Sequence, residues 1–307
     1  MPVEHGEVSL ERSHRLYWWK EALIVGAFYL VYSWTRNLFG SNAFDVGDPP
    51  EEAFTNAVRV IRVERFLGLY HEETLQDLFL PYRAFMQFWN TYYGTAHFFV
   101  TIFVFALLFA KRPAVFPQWR NSLAIMTALA IVGFALFPLM PPRLLDRSCE
   151  EYGGACIETD LRPDTRTFGY VDSLAELGGP WSFESDTVTD ISNQYAAMPS
   201  MHIGWSTWCA VAMWPLLRRR WQRVAVFLYP LATMFCIIVT ANHFWIDGAG
   251  GLLAFAIGTL SGWGLHRWNQ QRLDARHLTT LTAARLLPGG HGDQPIASEH
   301  HVARTDP

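Results

Sequence analysis

The fold is decided by two stretches of the chain, Ala197-Met198-Pro199-Ser200-Met201-His202 and Thr240-Ala241-Asn242-His243-Phe244-Trp245-Ile246-Asp247. Each stretch places titratable side chains at the edge of a long apolar run. A buried ionisable group is costly in an apolar environment unless it is paired or takes part in chemistry. The two histidines and the aspartate therefore indicate a functional site at the ends of membrane spans.

The composition is typical of an integral membrane protein. Half of the 307 residues (50%) are hydrophobic, only 17% are charged, and there are 13 Trp and 22 Phe. The net charge of -4, without a basic stripe or a nucleic-acid motif, excludes a nucleic-acid-binding protein. Residues 1–19 carry mixed charge and no short apolar run before a cleavage site, so we expect no cleavable signal peptide.

Six apolar runs approach the roughly 20 residues that a helix needs to cross a bilayer. They cover approximately residues 21–39, 85–110, 123–140, 201–217, 224–241 and 248–268. Between the first two, apolar and charged residues alternate at helical spacing, which predicts an amphipathic segment lying on the membrane. An acid-rich segment after the third run predicts a long outer loop. The predicted fold is therefore all-α, an integral membrane six-helix transmembrane bundle with an amphipathic interfacial segment.

Basic residues between runs two and three, between runs four and five, and after run six fall on one side of this arrangement. The positive-inside rule makes that side cytoplasmic, and both termini with it. We predict a cytoplasmic N-terminus over residues 1–19, a six-span catalytic domain over 20–268 and a disordered cytoplasmic tail over 269–307. The outer loops would be residues 40–82, 141–199 and 242–247.

This topology brings four polar residues that are distant in sequence to the same outer face: Arg143, His202, His243 and Asp247. A histidine that attacks phosphorus needs its second ring nitrogen held by an acceptor, and Asp247 lies four residues after His243, on the same helical face. His202 is placed to protonate a leaving oxygen. Arg143 and the helix start at Ser200 can hold phosphoryl oxygens.

Each of these residues also has a simpler structural interpretation. Ser200 and Asp247 are favoured helix caps, and Arg143 can anchor a lipid headgroup. A metal site built from His202, His243 and Asp247 is a further alternative, as is a lipid-binding or scaffold protein without activity. Cys149 and Cys156 lie in the predicted outer loop and can form a disulfide in an oxidising compartment. None of the structural interpretations predicts the convergence of the four polar residues.

At these positions the chain resembles the membrane-embedded type 2 phosphatidic acid phosphatase superfamily. Pro199-Ser200-Met201-His202 matches its Pro-Ser-x-His motif, and His243 to Asp247 matches its His-x-x-x-Asp motif. The resemblance implies a six-helix bundle and chemistry without a metal or other cofactor. It also implies that His243 is the nucleophile, that Asp247 is its partner and that His202 is the general acid and base.

The chain also departs from the phosphatase pattern, because Cys236-Ile237 stands where the superfamily has Ser-Arg, and Pro141-Pro142-Arg143-Leu144 replaces its first motif. These departures are similar to the branch of inositol phosphorylceramide synthases and their bacterial relatives. That branch carries an Asn-x-Tyr-Tyr-x-x-x-His pattern, present here as Asn90, Tyr92, Tyr93 and His97, and a Tyr-x-x-x-Arg pattern, present as Tyr32 and Arg36. The resemblance implies that Asn90, Tyr93, His97 and Arg36 join Arg143 and Ser200 in binding the substrate phosphate.

The predicted function is a lipid phosphotransferase or phosphohydrolase that transfers a phosphoinositol-like headgroup at the outer face of a bacterial plasma membrane. Its partners would be a phospholipid or polyprenyl phosphate substrate and the membrane itself. The alternatives are a phosphatase acting on phosphatidic acid or polyprenyl (di)phosphate, and a non-catalytic lipid-binding membrane protein. The sequence leaves the acceptor and the oligomeric state open.

Overall fold

The computed structural model of the chain describes residues 17–21, 23–24, 26–27, 30, 51–145, 168–177 and 195–286. The chain divides into two compact units, Met1–Gly264 and Leu265–Pro307. Within the described residues, all regular structure is helical except for one isolated parallel bridge between Leu139 and Ala196. The all-α prediction is confirmed.

The described residues between 18 and 30 are helical. From residue 51 onward the α-helices are, in chain order, α1 (Glu51–Leu67), α2 (Glu72–Phe79), α3 (Arg83–Lys111), α4 (Phe116–Leu136), α5 (Ser173–Glu176), α6 (Met201–Met213), α7 (Arg220–Ala225), α8 (Leu228–Val239) and α9 (Trp245–Leu286). Single 3-10 turns occupy Pro142–Leu144 and Trp214–Leu216.

Four helical segments of the described chain are long and apolar enough to cross a membrane. They are α3, α4, the segment Arg220–Val239 made of α7 and α8, and the first part of α9, Trp245–Arg276. They correspond to predicted spans two, three, five and six, and they support an integral membrane protein. Predicted span one lies mostly outside the described residues. The total of six spans therefore stays a prediction.

Predicted span four is the short helix α6, whose 13 residues are fewer than a bilayer crossing requires. This helix is apolar on every side and packs against α3, α4 and α8, so it lies inside the helix bundle. Two tryptophans fix its rotation: the Trp208 Nε1 donates to the Trp119 carbonyl (3.1 Å) and the Trp205 Nε1 to the Thr127 hydroxyl (3.1 Å). Because His202 is the second residue of α6, the same packing positions it.

Glycines bring α9 into close contact with α6 and α4. A Cβ atom on Gly251 would collide with the Ser200 carbonyl oxygen and lie 3.2 Å from the Gly204 amide nitrogen. A Cβ atom on Gly258 would lie 2.9 Å from the Met126 amide nitrogen. Four glycines in the first part of α9 are close-packing positions of this kind: Gly248, Gly250, Gly251 and Gly258.

We expect Gly251→Ala to destabilise the protein by about 1–3 kcal/mol, the usual cost of overpacking, because its methyl group meets main-chain atoms that cannot rotate away. Activity should fall with stability, since the displaced atoms begin the helix that carries His202. Thermal unfolding of the purified protein in detergent measures the first effect. Gly264→Ala is the matched control, because no atom lies within 4 Å of a Cβ built there. Equal melting temperatures for the two variants would contradict the packing argument.

The predicted interfacial segment is the pair α1 and α2, and the apolar stripe of α1 packs on the protein instead of the membrane. Its buried side chains contact the loops that follow α4 and α8. The Met140 amide donates to the Ala53 carbonyl (3.1 Å), and the Asn56 side-chain amide donates to the Pro138 carbonyl (2.9 Å). The stripe consists of Ala53, Phe54, Ala57, Val58, Val60 and Ile61. The helical pattern shows an apolar face but not its partner, and the position of this segment on the membrane stays a prediction.

The second unit begins within α9, which continues to Leu286, whereas the sequence predicted a disordered tail from residue 269. Residues 269–286 contain neither Gly nor Pro and are rich in Leu, Ala, Arg and Gln, which favour helix. The Arg272 guanidinium lies 4.1 Å from the centre of the Trp268 ring in this unit. The remaining residues of the predicted tail lie outside the described part of the chain.

Candidate active site

The end of α8 positions His243 through a tight main-chain turn. The Ala241 amide donates to the Ile238 carbonyl (2.9 Å) and the Asn242 amide to the Ile237 carbonyl (3.0 Å), which is the Schellman arrangement that ends many helices. Ala241 adopts a left-handed conformation with φ of 53° at the position that glycine usually takes. This conformation costs an alanine about 1–2 kcal/mol. The strained turn leads directly into His243, which is buried.

Asp247 lies in the first turn of α9 and holds the ring of His243. Its Oδ2 atom is 3.1 Å from the His243 Nδ1 and accepts the Phe244 amide at 2.9 Å. An ionised carboxylate only accepts hydrogen bonds, so the His243 Nδ1 must carry the proton. The Nε2 atom is then left with its lone pair. This is the tautomer that a nucleophilic histidine requires.

Ser200 connects the two sequence motifs through the main chain. Its amide donates to the Asp247 carbonyl (2.9 Å), which fixes the start of α6 against the start of α9. Ser200 precedes α6 as a cap residue, but its hydroxyl makes no capping bond. The hydroxyl is buried and has no hydrogen-bond partner among the described residues, a property shared with the Arg143 Nε and the Asp247 Oδ1. A capping role does not account for this serine.

His202 lies among rings from α3 and faces His243. The centres of the two histidine rings are 5.6 Å apart, and the ring planes are inclined by 65°. Tyr93 stacks on His202 at 4.3 Å, and the His97 ring meets it at 4.4 Å. The His97 Nδ1 lies 3.1 Å from the Tyr93 carbonyl oxygen. The structure therefore brings His202, His243, Tyr93 and His97 into one cluster, with Asp247 behind His243.

Arg143 approaches this cluster through its main chain. Its amide donates to the Ala241 carbonyl (2.7 Å), two residues before His243. Its guanidinium forms an ion pair with Asp172 at 2.5 Å. The same aspartate accepts the Leu174 and Ala175 amides at the start of α5. The sequence interpretation did not include Asp172, which is one of many acids in the predicted outer loop.

Asn90 holds the segment that contains Asp172. Its amide donates to the Ser173 carbonyl (2.7 Å) and its oxygen accepts the Ser173 hydroxyl (3.0 Å). Gln76 makes a similar reciprocal pair with the main chain of Val171. In this structure the Asn90 side chain is therefore a tether for residues 171–173. Tyr32, Arg36, Cys149 and Cys156 lie outside the described residues.

Two buried acids near His243 were missed by the sequence interpretation. Glu64 and Glu72 are both fully buried and bond to the first amides of α9. A signal for Glu64 exists in the sequence, because it follows Ala57 and Ile61 at helical spacing and so falls on the apolar stripe of α1. An acid at such a position must be paired or neutral.

The comparisons with known proteins place these residues in a family. A family model described as the PAP2 superfamily matches residues 58–261, two thirds of the chain, including both motifs. The chain belongs to the PAP2 superfamily. No curated protein and no solved structure matches it. Membership in the PAP2 superfamily implies phosphatase-type activity on lipids in the membrane, and it supports the resemblance found in the sequence.

Two further features of this PAP2 site concern the positive charges that could hold a phosphate group. The positions where the resemblance expects Ser-Arg hold Cys236 and Ile237, both buried, and the Cys236 thiol donates to the Trp89 carbonyl (3.3 Å). Within the described ranges, no three His, Cys, Asp or Glu side chains are arranged to hold a metal ion.

Proposed function

We propose that this PAP2 protein is a lipid phosphotransferase that works through a phosphohistidine on His243. The observation that carries the proposal is the 3.1 Å contact between the His243 Nδ1 and the Asp247 Oδ2, with the His202 ring 5.6 Å from that of His243. A held nucleophile and a second histidine facing it are the parts that a two-step transfer of a phosphoryl group needs.

In the first step, the His243 Nε2 attacks phosphorus and the bond to the leaving oxygen breaks. His202 in its protonated form gives its proton to that oxygen. Asp247 balances the positive charge that develops on the His243 ring. In the second step, an acceptor hydroxyl gives its proton to His202 and attacks phosphorus, and the phosphorus–nitrogen bond breaks. His243 then returns to its neutral tautomer.

The negative oxygens of the phosphoryl group need fixed donors in both steps. We assign this role to the Ser200 hydroxyl, the N-terminus of α6 and the Arg143 guanidinium. Tyr93 and His97 pack against His202 and would contact the headgroup. Asn90 would act through the segment it tethers, and Arg36 is proposed from the resemblance alone.

We further propose that the transferred group is phosphoinositol-like and that the reaction occurs at the outer face of a bacterial plasma membrane. The support is the Pro141-Pro142-Arg143 segment and the Tyr93 to His97 spacing, which resemble the inositol phosphorylceramide synthase branch. The ion pair of Arg143 with Asp172 adds a hydroxyl-binding carboxylate beside the phosphate-binding cation. A polyhydroxylated headgroup would use both.

The test is a reaction of purified protein in lipid nanodiscs with phosphatidic acid, a polyprenyl phosphate or a phosphoinositide, with and without diacylglycerol or ceramide. We expect mass spectrometry to detect a product that carries the donor headgroup on the acceptor lipid. Release of inorganic phosphate that does not depend on the acceptor would instead identify a lipid phosphate phosphatase. No conversion of any donor, together with tight lipid binding, would identify a non-catalytic lipid-binding protein.

A further inference from the structure

The turn between α1 and α2 brings two acids together beneath the candidate site. Gly68 ends α1 with φ of 69°, in the left-handed region, and the Leu69 amide donates to the Glu64 carbonyl (2.7 Å). The chain reverses there, and α2 begins with Glu72. Both glutamates are fully buried, although acids are rarely buried unless paired.

These acids cap a helix that is distant in sequence. The first amides of any helix lack partners within the helix. In α9 the Ile246 amide donates to the Glu64 Oε1 (2.8 Å), and the Trp245 amide makes a longer contact with the Glu72 Oε1 (3.4 Å). The preceding amide, that of Phe244, donates to Asp247. The helix start that carries Asp247 is therefore held by three carboxyl groups.

Each glutamate has a second oxygen that does not bond to the α9 amides. The Oε2 atoms of Glu64 and Glu72 are buried and receive no N–H or hydroxyl hydrogen from the described residues, but the two carboxyls lie within hydrogen-bond reach of each other. Two ionised carboxylates at this distance repel each other in a buried site. One proton between them replaces the repulsion with an O–H···O bond.

The electrostatic surroundings of Glu64 also favour its protonated form. Burial, and then the Glu72 carboxyl, raises the pKa of Glu64 from 4.5 to about 10, against the opposing effect of the Ile246 amide. The charge of Asp247 acts in the same direction as burial. At neutral pH Glu64 therefore keeps its proton.

We propose that Glu64 and Glu72 form a carboxyl pair sharing one proton, which caps α9 and positions the His243 and Asp247 side chains for reaction. Both are positioning residues, because neither contacts the reacting atoms. The proposal rests on the proposed role of His243. It adds a requirement for a shared proton on Glu64 and Glu72, two residues that lie outside both sequence motifs.

Two tyrosines beside the pair, Tyr70 and Tyr170, stay neutral at neutral pH and do not titrate in its place. Burial raises the pKa of Tyr70 and of Tyr170, so both phenols stay neutral while the pair titrates. The charge of Asp247 acts on Glu64, and the charges of Arg65 and Glu73 act on Tyr70 beside the pair.

The sign of the pH effect follows from the raised pKa. Between the ordinary glutamate pKa of 4.5 and about 10, the unfolded chain has released a proton that the folded protein still holds. The stability contributed by the pair is therefore complete below the lower value and declines as the pH rises through this window. Above about 10 the Glu64 carboxyl loses its proton, and its repulsion from Glu72 and Asp247 opposes the arrangement at the first turn of α9.

The experiment compares Glu64→Gln, Glu72→Gln and Glu64→Ala with wild type. A Gln side chain keeps an acceptor for the α9 amide and donates to the other glutamate without titrating. We expect Glu64→Ala to lower kcat by about 10- to 100-fold, the size of effect that a shifted catalytic group produces. Glu64→Gln should recover most of that loss. Both Gln variants should move the alkaline limb of the kcat profile upward by about one pH unit or more, since that limb reports an essential titrating group.

Infrared spectroscopy tests the shared proton without any substrate. Wild type should show the carbonyl stretch of a buried protonated carboxylic acid, and both Gln variants should lose it. Glu52→Gln is the matched control, because Glu52 is an exposed acid on the same helix, and it should leave the band and the pH profile unchanged.

Absence of the band in wild type, or an alkaline limb unmoved in both Gln variants, would overturn the proposal. Failure of the proposed function is distinguishable, because an inactive wild-type protein would still show the band. If the band is present and the protein forms no phosphohistidine, the carboxyl pair stands as a structural cap and its role in positioning a nucleophile is overturned.

Discussion

His243→Ala is expected to form no phosphorylated protein and to lose about 10⁶-fold in kcat, as hydrolases do when their nucleophile is removed. Wild type, mixed briefly with a substrate labelled in the phosphoryl group, should carry label that is lost in acid and kept in base. A phosphoramidate hydrolyses in acid, whereas a phosphoserine ester survives it. Rapid quenching followed by gel autoradiography measures the adduct.

His71→Ala is the matched control for this experiment. His71 is an exposed histidine before α2 whose side chain makes no capping bond, so its loss should leave the labelling intact. Label that persists in His243→Ala, or turnover at the wild-type rate in that variant, would remove His243 from its proposed role. A mechanism with an activated water molecule would also give no adduct in wild type.

Asp247→Asn should lower kcat by about 10⁴-fold, the loss that the same change causes in serine protease triads. An Asn oxygen at the position of Oδ2 can still accept both the Phe244 amide and the His243 Nδ1–H, so the first turn of α9 should persist. The neutral amide cannot balance the positive charge that develops on the His243 ring when Nε2 attacks phosphorus.

Two measurements keep this prediction separate from a folding defect. The melting temperature of Asp247→Asn in detergent should lie close to that of wild type, while phosphorylation of His243 becomes slow. An adduct that forms at the wild-type rate in this variant would show that Asp247 is only a cap of α9. A large drop in melting temperature would point to the same structural role.

The sequence predicted the helical class, most of the spans and the pairing of His243 with Asp247. These succeeded because they depend on local patterns: apolar runs of fixed length, and a spacing of four residues that places two side chains on one helical face. To predict that His202 and His243 lie close together, only the number of spans between them was needed. No knowledge of side-chain packing was required.

The sequence could not predict the partners that long-range packing selects. Asp172 is one acid among many in its segment, and only the folded chain shows that it pairs with Arg143. Asn90 was expected at the phosphate but bonds to Ser173. The burial of α1 on the site also depends on contacts between residues distant in sequence. The amphipathic sequence pattern of α1 is the same whether its apolar face packs on a membrane or on protein.

The main-chain bonds beneath the site have an evolutionary consequence. The amides of Ser200 and Arg143 bind the carbonyls of Asp247 and Ala241, and every amino acid except proline supplies such an amide. Substitution of either residue by any amino acid other than proline therefore leaves these bonds available. The side chains at the site can change in evolution without loss of the main-chain frame that holds the two histidines.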